Sequence, residues 1–367
     1  MAEAIDTMRA VVLTGHGGPE KLEYHEDWPK PAPGPGEALV RVAACGLNNT
    51  DVNTRTGWYS KGVTGGTTGG AQEKAKDGDS TWGGRPLTFP RIQGADVCGA
   101  VKAVGEGADP AWIGKRVLIE TWFRDWDDPD NLDKTRYLGS ELDGGFAEYT
   151  AVDQRNLHTI DCDLSDAELA TFATAYITAE NMLARAAVGA GDVVLITGAS
   201  GGVGSALIQL ANRRGARTVA LSSADKADGV RAVGPEAVLE RSPEDLRAAL
   251  REAIGRDTVS VVADVVGGSM FPQLIGALER GGRYTCSGAI AAPIVDFDLR
   301  TFYLKDLTFT GATVVPPGLF ADLVGHINRR EIRPLLAATY PLAKLHDAQQ
   351  AFIDKRHVGN IVVTMDG

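Results

Sequence analysis

Three glycines spaced three residues apart form the pattern in this chain with the clearest chemical meaning. Gly198, Gly201 and Gly204 follow a β-branched apolar run at 193–197 and open a stretch with helical spacing of its leucines, and a second apolar run follows at 218–221. The spacing alone is a weak signal, but strand, glycine turn, helix and strand together predict a βαβ unit whose helix N-terminus binds a pyrophosphate. A glycine-rich turn of some other α/β protein is the structural alternative.

A second group of polar side chains lies between Ala44 and Tyr59. This stretch combines Asn48, Asp51 and Arg55 with glycine turns, a composition more typical of a site than of a core. We expect Asp51 and Arg55 to form an ion pair, which either braces the segment or is solvated at the surface. The segment is therefore the second candidate for chemistry.

Alternating strand and helix patterns must position the glycine turn. The sequence predicts strands near 193–197, 217–222, 259–264, 283–287 and 307–311, helices at 244–254 and 270–279, and a helical pattern over 166–187. Alternation of this kind predicts a parallel sheet covered on both faces. Residues 8–50 instead predict strands and turns.

Composition narrows the partners and the compartment. The 367 residues are 44% apolar and 23% charged, as in ordinary globular proteins of one or two domains. The net charge of −11, without a basic cluster, argues against nucleic acid and against an anionic membrane, so we expect a small-molecule partner.

The cysteines and the N-terminus favour a cytoplasmic protein. Cys45, Cys98, Cys162 and Cys286 contain no Cys-x-x-Cys pair, so neither a disulfide framework nor a metal knuckle is predicted. The first ten residues lack the apolar core of a signal peptide, and no stretch approaches the length of a membrane span.

Several short motifs, spread over nearly the whole chain, resemble those of one family. They are Met8-Arg-Ala-Val-Val with Gly18-Pro-Glu20, Gly46-Leu-Asn-Asn-Thr-Asp51, Gly57-Trp-Tyr59, Gly94-Ala-Asp96, Gly144-Gly-Phe-Ala-Glu-Tyr149, Thr178-Ala179 and the glycine turn. Together they resemble the medium-chain dehydrogenase/reductases, and among these the zinc-free quinone oxidoreductases and enoyl-thioester reductases. The resemblance implies an α/β fold: a Rossmann-type doubly wound parallel sheet over 156–315, and a GroES-like, mostly β catalytic domain formed by 1–155 and 316–367.

The resemblance also implies a site for NADPH at the carboxyl ends of the sheet. Its residues would be Thr178, Ser200, Gly201, Gly202, Val203, Ser222, Lys226, Val265, Ser287 and Gly288. NADPH is expected over NADH because NAD-specific folds place an acid at the tip of the second strand, where this chain has Ser222 with Lys226 close behind. Asp225 beside the lysine opposes this preference, and local backbone hydrogen bonds are the alternative role for the strand-end residues.

The same resemblance leads to expectations about metal binding and catalysis. The zinc-binding cysteine and the histidine-glutamate pair of zinc alcohol dehydrogenases correspond here to Asn48 and to Ala95-Asp96, which are not a zinc ligand set, so no metal is expected. The resemblance to enoyl-thioester reductases implies that Tyr59 donates a hydrogen bond to substrate and that Asn48 orients substrate or ribose. A tyrosine packed under the following loop and an asparagine closing a turn are the structural alternatives.

These assignments predict an NADPH-dependent reductase of quinones or of the C=C bond in enones and enoyl-thioesters, acting without zinc. The three substrate types remain open because they share one mechanism and differ in pocket shape. A zinc-free alcohol dehydrogenase-like protein and a redox-inactive NADPH-binding structural or sensor protein are the alternatives. The presence of Tyr59 and Asn48 favours the enzyme.

Two segments stand apart from this pattern. Residues 60–86, the inserted segment, hold eight glycines from Gly62 to Gly84 and predict a mobile loop, which either covers the substrate cleft or lies disordered at the surface. Residues 122–136, the acidic segment, hold five aspartates but lack the glycine and glutamate of a calcium loop. We expect a solvated loop whose tryptophans either line the cleft or pack in the core.

The last predicted strand bears on assembly. Its region, 307–314, is dense in apolar and β-branched side chains and would make a poor exposed edge. Both this edge and the family resemblance lead us to expect a homodimer formed by edge pairing of the nucleotide-binding domains.

Overall fold

Strands are the main regular elements among the described residues before 160, as the family resemblance implies. The computed structural model describes residues 6–67, 70, 72–76, 78, 80, 81, 83 and 85–365. The strands are β1 Thr7–Leu13, β2 Leu22–Pro29, β3 Glu37–Gly46, β4 Arg91–Ile92, β5 Asp96–Val104, β6 Arg116–Ile119, β7 Trp122–Phe123, β8 Arg136–Tyr137, β9 Tyr149–Asp153 and β10 Leu157–Thr159. Helix α1, Asn49–Thr56, interrupts them directly after β3.

Strands and helices alternate in the next part of the chain. The helices are α2 Asp166–Leu169, α3 Ala173–Arg185, α4 Gly202–Arg213, α5 Ala227–Arg231, α6 Leu246–Ile254, α7 Phe271–Gly276, α8 Leu299–Leu304 and α9 Leu319–Asn328. The strands are β11 Val193–Ile196, β12 Arg217–Ser222, β13 Ala237–Glu240, β14 Val259–Asp264, β15 Leu278–Cys286 and β16 Thr308–Gly311. They pair in parallel in the order β13-β12-β11-β14-β15-β16, the doubly wound arrangement of dinucleotide-binding sheets.

The end of the chain returns to the first sheet. Strand β17, Leu336–Pro341, helix α10, Leu345–Ile353, and strand β18, Asn360–Thr364, follow α9. Strand β18 pairs with β3, which gives the order β10-β6-β5-β3-β18-β17, while β9 also pairs with β3 and a smaller sheet has the order β2-β1-β4. This mostly β unit beside a parallel sheet confirms the predicted α/β fold.

The helix predicted at 244–254 begins two residues later, at Leu246, and two other predicted helical segments differ more from the structure. The helix predicted at 270–279 is wrong at its end: α7 stops at Gly276, because Leu278 is fully buried and pairs with Val259 as the first residue of β15. The helical pattern over 166–187 is broken at 170–172, where the Thr171 hydroxyl donates to Glu168 O at 2.8 Å and ends α2.

Helix α3 lies between the two sheets and positions the site. Most residues of its first half are buried, but Thr174 and Thr178, one turn apart, are half-exposed. Because residues four apart share a helix face, α3 presents these two hydroxyls on one side. No helix in the described ranges is long and apolar enough to cross a membrane.

Candidate active site

The glycine turn between β11 and α4 has the backbone that a phosphate group needs. Gly198 has φ +59°, in the left-handed region that favours glycine, and a Cβ on Gly204 would lie 2.2 Å from Gly198 O. Residues 200–203, at the start of α4, are exposed or half-exposed. The accessible helix N-terminus therefore offers N–H groups and a positive dipole end to an anion.

Asp264 organises the carboxyl end of β14. Its fully buried carboxylate accepts the Thr197 hydroxyl at 2.6 Å and the Tyr284 hydroxyl at 2.7 Å. It also accepts the N–H of Val266 at 2.8 Å. These bonds fix the turn that carries the predicted cofactor contact Val265, which is itself buried.

Ser287 and Gly288 follow β15 at the same edge of the sheet. The Ser287 hydroxyl donates to Ala312 O at 2.5 Å. The N–H of Ile290 donates to Val265 O at 3.3 Å and joins this loop to the turn after β14. Both predicted positions therefore border the Val265 turn, while the Ser287 hydroxyl is engaged with the neighbouring backbone.

The tip of β12 brings cationic side chains together. Ser222 is buried and donates to Ser223 O at 3.4 Å, and Lys226 is half-buried next to it. Burial and then Lys226 lower the pKa of Lys355 to about 7, and burial followed by Lys355 and Lys226 lowers the pKa of His357 to about 4. Sequence reasoning missed Lys355 and His357, although the basic run at 355–357 was a visible signal.

Helix α1 begins at the predicted polar motif. The N–H of Asn48 donates to Asp51 Oδ2 at 2.7 Å, and burial raises the pKa of Asp51 to about 7. Arg55 is fully buried and donates to Gly17 O at 2.9 Å and to Gln349 Oε1 at 3.2 Å. The predicted ion pair between Asp51 and Arg55 is therefore wrong, because Asp51 turns back to the start of α1 and Arg55 binds oxygens of neighbouring segments.

Tyr59 lies just beyond α1 and is half-buried. Its ring meets Trp58 edge-on, with 5.5 Å between ring centroids. Burial raises the pKa of the Tyr59 hydroxyl, although hydrogen bonding to Thr50 and Asn53 partly opposes the rise. Tyr59 is therefore a neutral phenol at neutral pH and can donate a hydrogen bond.

Three polar side chains that are hydrogen-bonded in series join strands β5 and β8 to α3. Tyr137 Oη lies 2.8 Å from Thr174 Oγ1, and Asp96 Oδ1 accepts from both the hydroxyl and the N–H of Thr174, the latter at 2.7 Å. Asp96 is 1% exposed, and burial raises its pKa to about 6. Sequence reasoning missed Tyr137 and Thr174, because no spacing along the chain connects them to Asp96.

Two family models match the chain. The alcohol dehydrogenase GroES-like domain matches residues 34–162, and the zinc-binding dehydrogenase model matches residues 202–329. A solved structure from Sinorhizobium meliloti 1021, of a protein assigned as an alcohol dehydrogenase, is 46% identical and covers 99% of this chain and 98% of its own, with a TM-score of 0.89. The chain belongs to the medium-chain dehydrogenase/reductase family.

Two curated relatives indicate what this medium-chain dehydrogenase/reductase does in general terms. The quinone oxidoreductase of Homo sapiens is 25% identical over 96% of both chains. The acryloyl-coenzyme A reductase of Metallosphaera sedula is 26% identical over 97% of this chain and 100% of its own. Both relatives are oxidoreductases, and this chain is an oxidoreductase of the same family.

Zinc is the metal that the second family model implies, and the side chains present do not fit it. The candidate ligands are the amide of Asn48, the carboxylate of Asp96 and the hydroxyl of Thr174, without a thiolate or an imidazole. Burial, followed by Asp51 and Asp96, raises the pKa of the nearby Cys45 well above its usual range, which keeps the thiol protonated. Within the described ranges, no group of three or more His, Cys, Asp and Glu side chains converges.

The described start of the inserted segment connects the end of α1 to the loop after β15. Trp58 Nε1 donates to Gly65 O at 3.0 Å, and the N–H of Thr67 donates to Ile290 O at 3.0 Å. These contacts join Tyr59's neighbour to the loop after β15, and a lid over the cleft stays a prediction. Residues 68, 69, 71, 77, 79, 82 and 84 of the predicted loop lie outside the described residues.

The middle of the acidic segment, 125–134, is a solvated loop between β7 and β8, as predicted. Lys134 Nζ lies 3.0 Å from Asp125 Oδ2 and 3.1 Å from a second aspartate. Trp126 is 39% exposed, whereas Trp122 is buried with its ring 5.0 Å from that of Tyr137. Of the two tryptophans, Trp122 therefore packs behind a site residue and Trp126 lies at the surface.

Proposed function

We propose that this protein reduces a quinone, or a C=C bond conjugated to a carbonyl in an enone or enoyl-thioester, with NADPH and without zinc. The observation that carries the proposal is the set of donors at the cleft. It consists of a neutral phenol, Tyr59, and an amide, Asn48, near the two ends of α1. Such donors stabilise charge on a carbonyl oxygen, whereas alcohol oxidation in this family draws on zinc as a Lewis acid.

The nucleotide-binding sheet fits a dinucleotide cofactor. A Cβ on Gly202 would lie 2.1 Å from Asn360 Oδ1, so the turn is as close to its neighbours as a phosphate cradle requires. Residues 200–203 would hold the pyrophosphate, and Thr178, Val265, Ser287 and Gly288 would border the nicotinamide. The bound cofactor supplies the hydride.

Tyr59 would act on the other end of the conjugated system. When a hydride reaches the β-carbon, the electron pair of the C=C bond moves to the carbonyl oxygen, and a donor already aimed at that oxygen lowers the barrier. The Tyr59 phenol can fill this role because burial keeps it protonated. Asn48 would orient the carbonyl or the ribose through its amide.

Preference for NADPH would come from the cations at the tip of β12. Lys226 is joined there by Lys355, whose pKa it helps to lower after burial, and by His357, whose pKa burial and then both lysines lower. A 2′-phosphate brings the negative charge that relieves this repulsion, whereas a 2′-hydroxyl does not.

The functional unit would be a homodimer. Strand β16 pairs with β15 on one side, and within the described residues its other edge has no partner strand. Exposed apolar side chains flank that edge in the preceding segment: Ile294, Phe297, Leu299, Tyr303 and Leu304. Pairing of two β16 edges would cover both features.

Consumption of NADPH against a panel of a quinone, an enone and an enoyl-thioester tests the proposal. We expect turnover of at least one panel member, and unchanged turnover after exhaustive chelation. Stoichiometric zinc lost together with activity would refute the zinc-free mechanism. NADPH binding without oxidation by any panel member would point to a redox-inactive protein.

A further inference from the structure

A polar cavity outside the proposed active site is lined by four arginines and a lysine. It measures about 460 Å³ and lies between the acidic segment, the end of β9 and the end of the inserted segment. Its cations come from four separate stretches of sequence: Arg85, Arg124, Lys134 with Arg136, and Arg155. The fold therefore builds a basic cavity, here called the arginine pocket, on a chain whose net charge is −11.

Arg124 is a buried cation of this pocket without a counter-charge in contact. It is 7% exposed, and its guanidinium donates to Val315 O but has no ion-pair partner among the described residues. Burial lowers the pKa of Arg124, against the opposing effects of Glu120 and Asp130. A buried charge that has only a neutral carbonyl beside it is costly, and an anion in the pocket would relieve that cost.

The carboxylates of the pocket are engaged by two of its other cations. Lys134 Nζ lies 3.0 Å from Asp125 Oδ2, and Arg155 Nε donates to Asp153 Oδ1 at 2.9 Å. The third carboxylate belongs to Asp127, an exposed residue whose N–H donates to Asp125 Oδ1 at 3.0 Å. Five cations against three carboxylates leave an excess of positive charge, and it belongs to the arginines that form no ion pair.

The pocket combines phosphate-binding groups with an accessible aromatic ring. Arg85 and Arg136 are exposed and, like Arg124, form no ion pair with a described carboxylate. Guanidinium groups bind phosphate oxygens through two parallel N–H bonds, so three of them in one cavity suit a ligand with more than one phosphate. Trp126 is 39% exposed, with the Arg155 guanidinium 5.1 Å from its ring centroid, and provides a stacking surface for a base.

The arginine pocket is connected to the cofactor side of the cleft through α3. Arg124 donates to Val315 O, and the carbonyl of the preceding residue, Val314, accepts from Asn181 Nδ2 at 3.3 Å. Asn181 lies one turn after Thr178 on α3, and Thr178 is the proposed nicotinamide contact. A ligand with phosphates in the pocket and a long flexible arm can therefore place its reacting end beside the nicotinamide.

We propose that the arginine pocket binds the phosphorylated adenosine end of coenzyme A, so that the substrate is an enoyl-CoA thioester. The inference rests on the proposed reduction of a conjugated C=C bond and narrows its substrate class. Coenzyme A offers phosphates to the guanidinium groups, an adenine to Trp126 and a pantetheine arm that extends toward the cleft. A quinone or a simple enone has no group that would use this pocket.

Truncation of the substrate is the first test. Reduction of trans-2-butenoyl-CoA is compared with that of trans-2-butenoyl-N-acetylcysteamine, the same thioester without the nucleotide, at saturating NADPH. We expect a higher kcat/KM for the CoA thioester in wild type, and a ratio of the two values that falls about tenfold in Arg136→Gln, which loses one charged contact with phosphate. Arg251→Gln, an exposed change on α6 outside the pocket, should keep the wild-type ratio.

Two outcomes would overturn the assignment while leaving the proposed function intact. One is a wild-type protein that reduces both thioesters with equal kcat/KM. The other is a wild-type ratio in both Arg136→Gln and Arg85→Gln, two exposed positions at which the substitution should not disturb folding.

Binding without turnover separates the two proposals. Adenosine 3′,5′-bisphosphate is titrated by calorimetry into protein saturated with NADPH, which keeps the nucleotide out of the cofactor site, and inorganic phosphate is titrated in parallel. We expect the nucleotide to bind more tightly than phosphate, and its affinity to fall in Arg136→Gln and in Trp126→Leu. Equal affinity for inorganic phosphate would make the pocket a general anion site and refute the coenzyme A assignment. Nucleotide binding that depends on Arg136, in a protein that reduces no panel member, would support the pocket and refute the proposed reduction.

Discussion

Tyr59 and Tyr137 carry the same phenol with different hydrogen-bond partners. The Tyr59 hydroxyl interacts with Thr50 and Asn53, neither of which can supply a proton at neutral pH. The Tyr137 hydroxyl is linked to a carboxyl group through Thr174. A fixed donor suits an oxygen that carries charge only for a moment, which is the role proposed for Tyr59.

Substitution of Tyr59 by Phe tests the role proposed for Tyr59. Tyr59→Phe removes the hydroxyl and keeps the ring, so kcat for an enone or enoyl-thioester should fall by about 10²–10³. NADPH affinity should not change, since the phenol would touch substrate rather than cofactor, and quinone reduction should suffer less. Steady-state kinetics measure kcat for each substrate, and cofactor fluorescence measures the affinity for NADPH. A variant that reduces an enoyl substrate at nearly the original rate would show that the hydroxyl has no catalytic part.

Lys226 should control the choice between NADPH and NADH. Lys226→Ala removes one charged partner of the 2′-phosphate, which typically contributes about 1.5–3 kcal/mol, so the NADPH:NADH affinity ratio should drop roughly tenfold or more. Calorimetric Kd values for both cofactors test this, with Lys344→Ala at an exposed position as the control. An unchanged ratio in Lys226→Ala would remove Lys226 from the cofactor site.

The sequence can predict which residues lie near one another when they belong to one motif. It cannot do so for residues that only the fold brings together. Asn48 and Tyr59 stand eleven positions apart in a single segment, and the structure places them at the two ends of α1. Lys226 and Lys355 are brought together only because β18 returns to β3 and the N–H of Gly359 donates to Ser200 O at 2.9 Å. Tyr137 and Thr174 were missed for the same reason.

At the scale of elements, the glycine turn is the most constrained part of the nucleotide-binding sheet. A Cβ on Gly204 would lie 2.2 Å from Gly198 O and 2.6 Å from Ala199 Cα, and both contacts are backbone that cannot rotate away. The third glycine therefore fixes how closely α4 packs on the end of β11, and with it where the helix N-terminus points.

Gly204→Ala should therefore be more damaging than a glycine-to-alanine substitution at an open position. We expect a lower Tm and a loss of dinucleotide affinity, because α4 must move away from β11. Gly276→Ala, at the end of α7 with no atom within 4 Å of the added Cβ, is the matched control and should be neutral or stabilising by about 0.4–1 kcal/mol. Equal Tm and equal NADPH affinity in the two variants would contradict the packing role of Gly204.

Element type was predictable where a local pattern and the tertiary contacts agree. Strands β12 and β14 match their predicted bounds, since each is a short apolar run buried on both faces. Strand β15 begins five residues before its predicted start, because Gly281, with φ +73°, lets the strand pass through a segment with helical apolar spacing. Strand β13 has only three apolar residues, too few for a pattern, and exists because it pairs with β12.

For the whole molecule, two buried carboxyl groups couple stability to pH. Burial raises the pKa of Asp51 to about 7 and that of Asp96 to about 6, above the ~3.9 of an unfolded aspartate. The folded state therefore holds these protons more tightly, and the stability they contribute is fully present below pH ~4 and is lost as pH rises to about 7.

Asp51→Asn should flatten this dependence. The amide oxygen can still accept the N–H of Asn48, but the side chain no longer ionises, so the free energy of unfolding should fall less between pH 5 and 8 than in wild type. Each pKa unit corresponds to about 1.4 kcal/mol. Urea unfolding across that range measures it, and Asp347→Asn, at an exposed carboxylate, should follow wild type. A variant with the wild-type slope would show that Asp51 does not titrate in this range.

At the scale of the whole molecule, the proposed homodimer would form at the edge of the parallel sheet. Leu299 and Leu304 are 65% and 56% exposed on α8, directly before the edge strand β16, a combination that is unfavourable in a monomer. Leu299→Asp should introduce a charge into the proposed dimer interface and give a monomer by light scattering at micromolar concentration. Ile113→Asp, at a 53% exposed position in the turn between β5 and β6, should leave the dimer intact. A wild-type protein of monomer mass, or a dimer unaffected by Leu299→Asp, would rule out pairing through β16, and the exposed leucines would then require a different partner.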